Sequence, residues 1–157
     1  MKKLLIATQN KGKFEEFFDI LKDLPFNFLT LNDLKREMIN LNVKETGKTF
    51  AENAILKAKT YGQASGMLTL ADDSGLCVDW LKGKPGINSH RFIKGNDKDR
   101  YQKLLKIMSK VPKHKRCAIF ISVIAFFDPI TKLIKTTQGE CRGRIAFTSK
   151  GDNGFGF

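Results

Sequence analysis

The chain has 157 residues, of which 41% are hydrophobic and 28% charged, and its 28 lysines and arginines against 16 acidic residues give a net charge of +12. This composition is typical of one ordered globular domain and excludes an intrinsically disordered chain. The positive charge favours an anionic partner: nucleic acid, an acidic membrane or a phosphorylated small molecule. The lysines are scattered along the sequence, which counts against a basic stripe for nucleic acid.

The cysteines and the apolar runs indicate a cellular location. Cys77, Cys117 and Cys141 are far apart and form no CxxC pair, so the pattern indicates neither a disulfide framework nor a zinc site. The N-terminal stretch turns polar too early for a signal peptide. The longest apolar run, 117–127, is shorter than the roughly 20 residues that span a bilayer. We therefore expect a soluble cytoplasmic protein.

Strand and helix patterns alternate from the N-terminus. Residues 3–8 form a short apolar run typical of a buried strand, and the polar turn "QNKGK" follows. Apolar residues at helical spacing then predict a helix that ends near Pro25. Residues 26–31 indicate a second strand, and residues 34–48 are polar and irregular, which indicates a surface loop.

Helical spacing returns in the middle of the chain. It runs from Phe50 to Tyr61, and Gly62 or Gly66 would end this helix. Residues 67–71 indicate a strand that runs into a pair of acidic residues. Asn53 and Lys57, four positions apart, are expected on one face of the helix, apart from its apolar face.

The C-terminal part predicts one helix and several strands. Residues 97–111 are amphipathic, and the helix ends before Pro112. Turn residues at Asp128–Pro129 and Gly143 separate three strand-like segments, which are 116–127, 131–140 and 143–148. The order of elements predicts a mixed α/β sheet.

The turn "TQNKGK" predicts an anion site. It joins a buried strand to a helix, so that backbone N–H groups and the positive end of the helix dipole face whatever lies in front. Lys11 and Lys13 supply charge for phosphate oxygens, and Thr8 and Asn10 add short polar side chains. The spacing is not that of a Walker loop. The alternative is an ordinary polar turn with solvated lysines.

The acidic pair predicts a metal site. Asp72, Asp73 and Ser74 are expected where a strand ends, the usual position of sites in open α/β sheets. Neighbouring carboxylates repel each other unless a cation lies nearby, and Mg²⁺ takes carboxylate oxygens together with substrate phosphates. The alternative makes Asp72 a turn former and Asp73 a solvated or helix-capping acid.

Other polar side chains are open to two interpretations. Four of them lie in or just before the second helix: Glu45, Glu52, Asn53 and Lys57. They would add a metal ligand and a phosphate contact to the site. Alternatively, they are surface charges and i,i+4 partners. His90 is one of two histidines, which excludes a histidine-rich metal site. No Ser-His-Asp constellation is evident.

Five segments, in this order, resemble the inosine triphosphate pyrophosphatase family, which hydrolyses non-standard purine nucleoside triphosphates. They are "ATQNKGKFEEF", "ETGKTFAENAILKAK", "ADDSGLCVDWLKGKPGINSHRF", "RCAIF" and "GDNGFGF". The resemblance implies an α/β fold with a mixed, elongated central sheet flanked by helices and two lobes around a cleft, formed by residues 1–157 as a single domain. It implies a homodimer that converts ITP, dITP and XTP to the monophosphate and pyrophosphate with Mg²⁺, without a membrane or a specific nucleic-acid partner.

The resemblance also implies roles for individual residues. Asp73 would be the proton acceptor and a metal ligand, Glu45 a second acidic ligand, and Asp72 a supporting one. Lys57 would meet phosphate oxygens and Ser74 would contact the substrate. The other implied substrate contacts are Thr8, Gln9, Asn10, Lys11, Gly12 and Lys13 at the phosphates, and the segment from Asn153 with Phe155, Gly156 and Phe157 near the base.

The sequence departs from the family pattern in two places. Gln9 stands where a glycine is commoner. The family continues after Phe157 with a strand and a helix that carry a lysine and a Ser-His-Arg for the base, and the "SHRF" at 89–92 belongs to a different segment. Without these contacts we expect lower stability and selectivity. The alternative function is a truncated, catalytically weak protein that binds nucleotide or nucleic acid through its charge.

Overall fold

The computed structural model describes residues 1–34, 41, 43–151 and 154–156. The strands are β1 (Lys2–Ile6), β2 (Phe26–Thr30), β3 (Leu68–Val78), β4 (Lys84–Pro85), β5 (Cys117–Phe127) and β6 (Ile134–Arg144). The helices are α1 (Lys11–Leu21), α2 (Phe50–Ser65) and α3 (Asp97–Ile107). Short 3₁₀ turns cover 31–33, 79–81, 86–88 and 113–115.

Six strands form one mixed sheet in the order β2-β1-β3-β5-β6, with β4 paired to β3. β1 runs parallel to β2 and to β3, whereas β3 and β4 are antiparallel. β5 and β6 are neighbours joined by residues 128–133, a connection too short for the crossover that parallel strands need, so they are antiparallel. The sequence-based prediction of a mixed α/β fold is confirmed.

The described chain divides into two compact units. The first comprises Met1–Asp73 and Val123–Gln138, and the second Ser74–Ser122 and Gly139–Phe157. That residues 1–157 form a single domain stays a prediction, as does the cleft between two lobes. Within the described residues, no helix is long and apolar enough to cross a membrane.

In the first unit, parallel strands and α2 bury the core. Leu4, Leu5 and Ile6 of β1 are buried, which fits a strand covered on both faces. The side chain of Thr49 caps α2 by accepting a hydrogen bond from the Glu52 backbone N–H at 3.1 Å. The helix ends at Gly66, whose positive φ of 67° is the conformation that favours glycine. The structure thus selects Gly66 from the two predicted ends.

In the second unit, α3 packs on the sheet. Its N-terminus carries a capping box in which the Asn96 and Asp99 side chains accept hydrogen bonds from each other's backbone N–H groups. Its apolar face joins a buried cluster made of Leu76, Val78, Leu104, Met108, Val111 and Ala118. The predicted helix is confirmed, although it ends at Ile107 rather than near Val111.

Arg116 links two segments of the second unit. Its side chain is only 1% exposed, and it donates hydrogen bonds to the carbonyl oxygens of Met108, Val111, Ile145 and Ala146. The guanidinium also lies 4.3 Å from the centre of the Phe147 ring. A buried charge is tolerated only when its donors are satisfied, so Arg116 fixes the end of α3 to the segment that follows β6.

Two predicted strand boundaries are wrong. Asp72, Asp73 and Ser74 lie inside β3 and not where a strand ends, because the strand continues to Val78 and pairs there with β4. Residues 143–148 are not a separate third strand. Gly143 has no positive φ and lies within β6, which runs unbroken to Arg144, so this glycine makes no turn.

A substitution at Gly62 tests how closely α2 packs against Phe127. A Cβ at this position would lie 2.5 Å from Cδ1 of Phe127. Overpacking typically costs about 1–3 kcal/mol, against a helix-propensity gain of about 1 kcal/mol for alanine. We expect Gly62→Ala to lower the free energy of unfolding by up to about 2 kcal/mol and the thermal midpoint by up to about 8 °C.

The control is Gly139→Ala in β6, where a Cβ meets nothing within 4 Å. Calorimetry should show this control as stable as the parent protein or slightly more stable. Equal midpoints for the two variants would contradict the close contact between α2 and Phe127.

Candidate active site

The turn between β1 and α1 is shaped by its own side chains. Asn10 caps α1 by accepting a hydrogen bond from the Lys13 backbone N–H at 3.1 Å, and the Asn10 backbone N–H donates to Thr8 Oγ1 at 3.2 Å. Gln9 is exposed, and the exposed Lys11 pairs with Glu15 at 3.6 Å. The turn therefore presents a capped helix N-terminus with its partial positive charge, as an anion site requires.

Asp72 pairs with the lysine of this turn. Its Oδ2 lies 2.5 Å from Lys13 Nζ, and both carboxylate and ammonium are largely buried. Successive residues of a strand point to opposite faces, so Asp72 and Asp73 direct their carboxylates apart although they are neighbours in sequence. The repulsion expected between adjacent acids is relieved because each carboxylate has its own cation.

Asp73 is the more closely surrounded acid. It is 6% exposed, and its Oδ2 accepts a hydrogen bond from Asn53 Nδ2 at 3.1 Å, while its Oδ1 lies 3.5 Å from Lys57 Nζ. Burial raises the pKa of the Asp73 carboxyl above its ordinary value, and this outweighs the lowering by the Lys57 ammonium and the Asn53 amide. Asp73 is thus a carboxylate with increased proton affinity.

Lys57 joins Asp73 to the loop before α2. Its Nζ lies 2.8 Å from Glu45 Oε1 as well as 3.5 Å from Asp73 Oδ1. Two acids from different parts of the chain therefore surround one cation position. Asn53 and Lys57 share a face of α2, as the four-residue spacing predicts, and both reach Asp73.

The segment that the resemblance places near the base lies in the second unit. Phe155 and Gly156 line a cavity of about 810 Å³ together with residues of α3, including Tyr101 and Leu104. The Gly156 backbone N–H donates to Asp97 Oδ2 at 2.7 Å, which ties the segment to the first turn of α3. Phe155 is 40% exposed. Asn153 and Phe157 lie outside the described residues.

Comparisons with known proteins identify the family. A sequence model of the Ham1 family matches residues 4–157. The chain belongs to the Ham1 family. A dITP/XTP pyrophosphatase of Haemophilus influenzae is 42% identical over 99% of this chain and 79% of its own length, and one of Symbiobacterium thermophilum is 40% identical over 99% and 76%.

A solved structure supports the fold. The HAM1 protein of Coxiella burnetii matches with a TM-score of 0.85 and 34% identity, covering 99% of this chain and 79% of that protein. The family resemblance that the five motifs predict is therefore confirmed.

Within this Ham1 family chain, the structure brings together part of the predicted site. In the first unit, Lys13, Glu45, Lys57, Asp72 and Asp73 form a cluster of ion pairs, which we call the acid–lysine cluster. Thr8, Asn10, Lys11 and Gly12 belong to the turn or the first turn of α1. Ser74 follows Asp73 in β3 and is half-buried. The substrate roles of all these residues stay predictions.

The cluster suits a magnesium ion. Glu45 and Asp73 both turn a carboxylate oxygen toward the Lys57 ammonium, and Mg²⁺ is commonly bound by one or two carboxylates together with substrate phosphates and water. Across the part of the chain that the structure describes, no group of three or more His, Cys, Asp or Glu side chains is placed to hold a metal. Asp72 bonds to Lys13, and its role as a ligand stays a prediction.

The contacts of Asn53 and Glu52 could not be predicted from the sequence. Asn53 is completely buried and is hydrogen-bonded to both the Gly47 backbone and Asp73. Glu52 takes no part in the acid–lysine cluster: its Oε2 accepts a hydrogen bond from the Lys48 backbone N–H at 2.6 Å. The helical spacing of Asn53 and Lys57 was the available signal, but it gave no indication of burial.

The pKa of Asp73 predicts a pH dependence of stability. Because burial raises this pKa in the folded state, the folded protein binds the proton more tightly than the unfolded chain, whose value is about 3.9. Stability is therefore lost as pH rises through the interval between these two values. We expect Asp73→Asn to be more stable than the parent protein at pH 7, with the difference disappearing as pH falls toward about 4.

Asp128→Asn is the matched control, for which the expected change in stability with pH has the opposite sign. Hydrogen bonds from Ile130 and Thr131 lower the pKa of Asp128, so its carboxylate stabilises the fold above the unfolded value and loses this effect in acid. Thermal unfolding at several pH values checks both variants. An Asp73→Asn protein that is less stable than the parent at pH 7 would contradict the account.

Proposed function

We propose that this chain is a nucleoside triphosphate pyrophosphatase that hydrolyses non-standard purine nucleotides, namely dITP, XTP and ITP, to the monophosphate and pyrophosphate. The relatives named dITP/XTP pyrophosphatase, at 40–42% identity over 99% of the chain, support this activity. The observation that carries it is the acid–lysine cluster, in which a buried carboxylate of raised pKa lies beside a shared cation position. The alternative of a weak nucleotide- or nucleic-acid-binding protein is not favoured by these relatives.

Lysines and a helix N-terminus would bind the triphosphate. Lys13 pairs with the Asp72 carboxylate and Lys57 with Glu45, so phosphate oxygens would compete with these acids for the two lysines. The capped N-terminus of α1 adds backbone donors. These groups would stabilise the negative charge that develops on the leaving pyrophosphate.

Glu45 and Asp73 would hold Mg²⁺ as the cofactor. When bound, the ion would neutralise charge on the phosphate oxygens and bring them toward the carboxylates. Asp72 would support this arrangement by keeping Lys13 at the phosphates. Support comes from the two carboxylates that share the Lys57 ammonium, which lie close enough together to bind one ion once Lys57 turns to the phosphates.

Asp73 would accept the proton of the attacking water. A base is most effective when its pKa approaches the working pH, and burial moves Asp73 in that direction. The water oxygen would form a new bond to the α-phosphorus, the bond from the α-phosphorus to the oxygen that bridges the α- and β-phosphates would break, and pyrophosphate would leave with that oxygen. Asn53, which donates a hydrogen bond to Asp73 Oδ2, would hold the carboxylate in one orientation during this step.

The second unit would contribute to base binding. The half-exposed ring of Phe155 is available for stacking on a purine, and Asp97 holds the neighbouring Gly156 in place. Ser74 would contact the substrate next to Asp73. We also propose that the protein is a homodimer, as the family resemblance implies, and that it is located in the cytoplasm, as the cysteine pattern favours.

Pyrophosphate release tests the function. We expect the chain with Mg²⁺ to convert dITP and XTP to monophosphate and pyrophosphate with kcat/KM at least about tenfold above dATP and dGTP, because base contacts discriminate by this much or more. A chelator should stop the reaction and added Mg²⁺ should restore it. Chromatography of the nucleotide products with an enzymatic pyrophosphate assay gives the measurement.

Two outcomes would contradict the proposal. Release of orthophosphate with formation of a diphosphate would show a different bond being broken. Equal turnover of all purine nucleotides would remove the selectivity for non-standard bases.

A further inference from the structure

We propose that Asn53 is a positioning residue for the reaction: its buried carboxamide sets the orientation of the Asp73 carboxylate and, at the same time, the placement of the loop that carries Glu45. This inference rests on the proposed function and deepens it. Its basis is a pair of hydrogen bonds that connect two separate segments through a single side chain.

Both ends of the Asn53 side chain are satisfied in a fully buried position. The residue is 0% exposed, its Oδ1 accepts a hydrogen bond from the Gly47 backbone N–H at 2.8 Å, and its Nδ2 donates to Asp73 Oδ2 at 3.1 Å. A backbone N–H can only donate, so Oδ1 must face Gly47 and Nδ2 must face Asp73. The chemistry of the partners thus defines one orientation of the amide.

The loop before α2 packs directly on this amide. A Cβ at Gly47 would lie 2.6 Å from Asn53 Oδ1 and 2.7 Å from Glu52 Cβ, so only a glycine backbone approaches this closely. The Lys48 backbone N–H is held by the Glu52 carboxylate. Glu45, two residues before Gly47, then reaches Lys57 one helical turn beyond Asn53.

These contacts set the two acids relative to each other. Asn53 holds Oδ2 of Asp73, and the other oxygen, Oδ1, faces the Lys57 ammonium that Glu45 also contacts. A misplacement of about 1 Å in a catalytic group can reduce a rate by about 100-fold. Loss of the Asn53 amide should therefore affect the chemical step more than the binding of nucleotide.

The test compares variants of the full chain. Thermal unfolding curves first identify a temperature at which every variant is folded, and activity is measured there. Asn53→Leu keeps the size of the side chain and removes both hydrogen bonds. We expect kcat for pyrophosphate release from dITP to fall by about 10–100-fold while KM changes by less than about threefold.

Thr69→Val is the matched control. Thr69 is also 0% exposed, and its Oγ1 donates to the Met67 carbonyl at 2.9 Å, apart from the acid–lysine cluster. This variant loses a buried hydrogen bond and is expected to have a lower thermal midpoint, but its kcat should stay within about twofold of the parent value.

Asn53→Asp separates the two contacts. The variant keeps an acceptor for the Gly47 N–H, but it replaces the amide donor with a second carboxyl group, which repels the Asp73 carboxylate or shares a proton with it. We expect kcat to fall as in Asn53→Leu, again by about 10–100-fold. A parent-like kcat in Asn53→Asp would show that the loop contact alone matters and would overturn the inference.

Failure of the inference is distinct from failure of the proposed function. A parent chain that releases pyrophosphate, together with an Asn53→Leu variant as active as Thr69→Val, would overturn the positioning role alone. A folded parent chain that releases none from dITP, XTP or ITP would overturn the proposed function and the role of Asn53 with it.

Discussion

The buried carboxylate of Asp73 is the constraint on which the candidate site depends. A charge this far from water is tolerated only with hydrogen bonds and a nearby cation, and α2 supplies both through Asn53 and Lys57. The carboxylate nevertheless keeps a raised pKa, because burial outweighs these partners. Burial of the ionised Asp73 carboxylate thus lowers the stability of the folded protein at the position of the proposed proton acceptor. Such a trade between stability and function is common.

The same constraint explains why two acids stand side by side in a basic chain. Alternation along β3 sends Asp72 to Lys13 and Asp73 to Lys57, so that each acid holds a lysine near the predicted phosphate site. In the second unit, Arg116 and Asp97 fix the two ends of the segment that leads to Gly156. These contacts anchor the segment within the second unit.

Much of the fold could be predicted from local patterns. The apolar run of β1, the helical spacing of α2 and the glycine at its end all depend on neighbouring residues. The continuation of β3 through the acidic pair could not, since it depends on pairing with β4 and β5, which exists only in the folded sheet. The role of Asn53 could not be predicted from the sequence for the same reason, because its burial and its contact with Asp73 exist only after folding. Roles implied by the motifs remain predictions until activity is measured.

The most direct test of the central claim is the turnover of Asp73→Asn, measured together with its affinity for dITP. The account predicts that pyrophosphate release falls by about 10²–10⁴-fold, the usual contribution of a general base, while the variant still binds the nucleotide and remains folded. Turnover close to the parent rate at saturating dITP would contradict the account, because the proton would then have another acceptor.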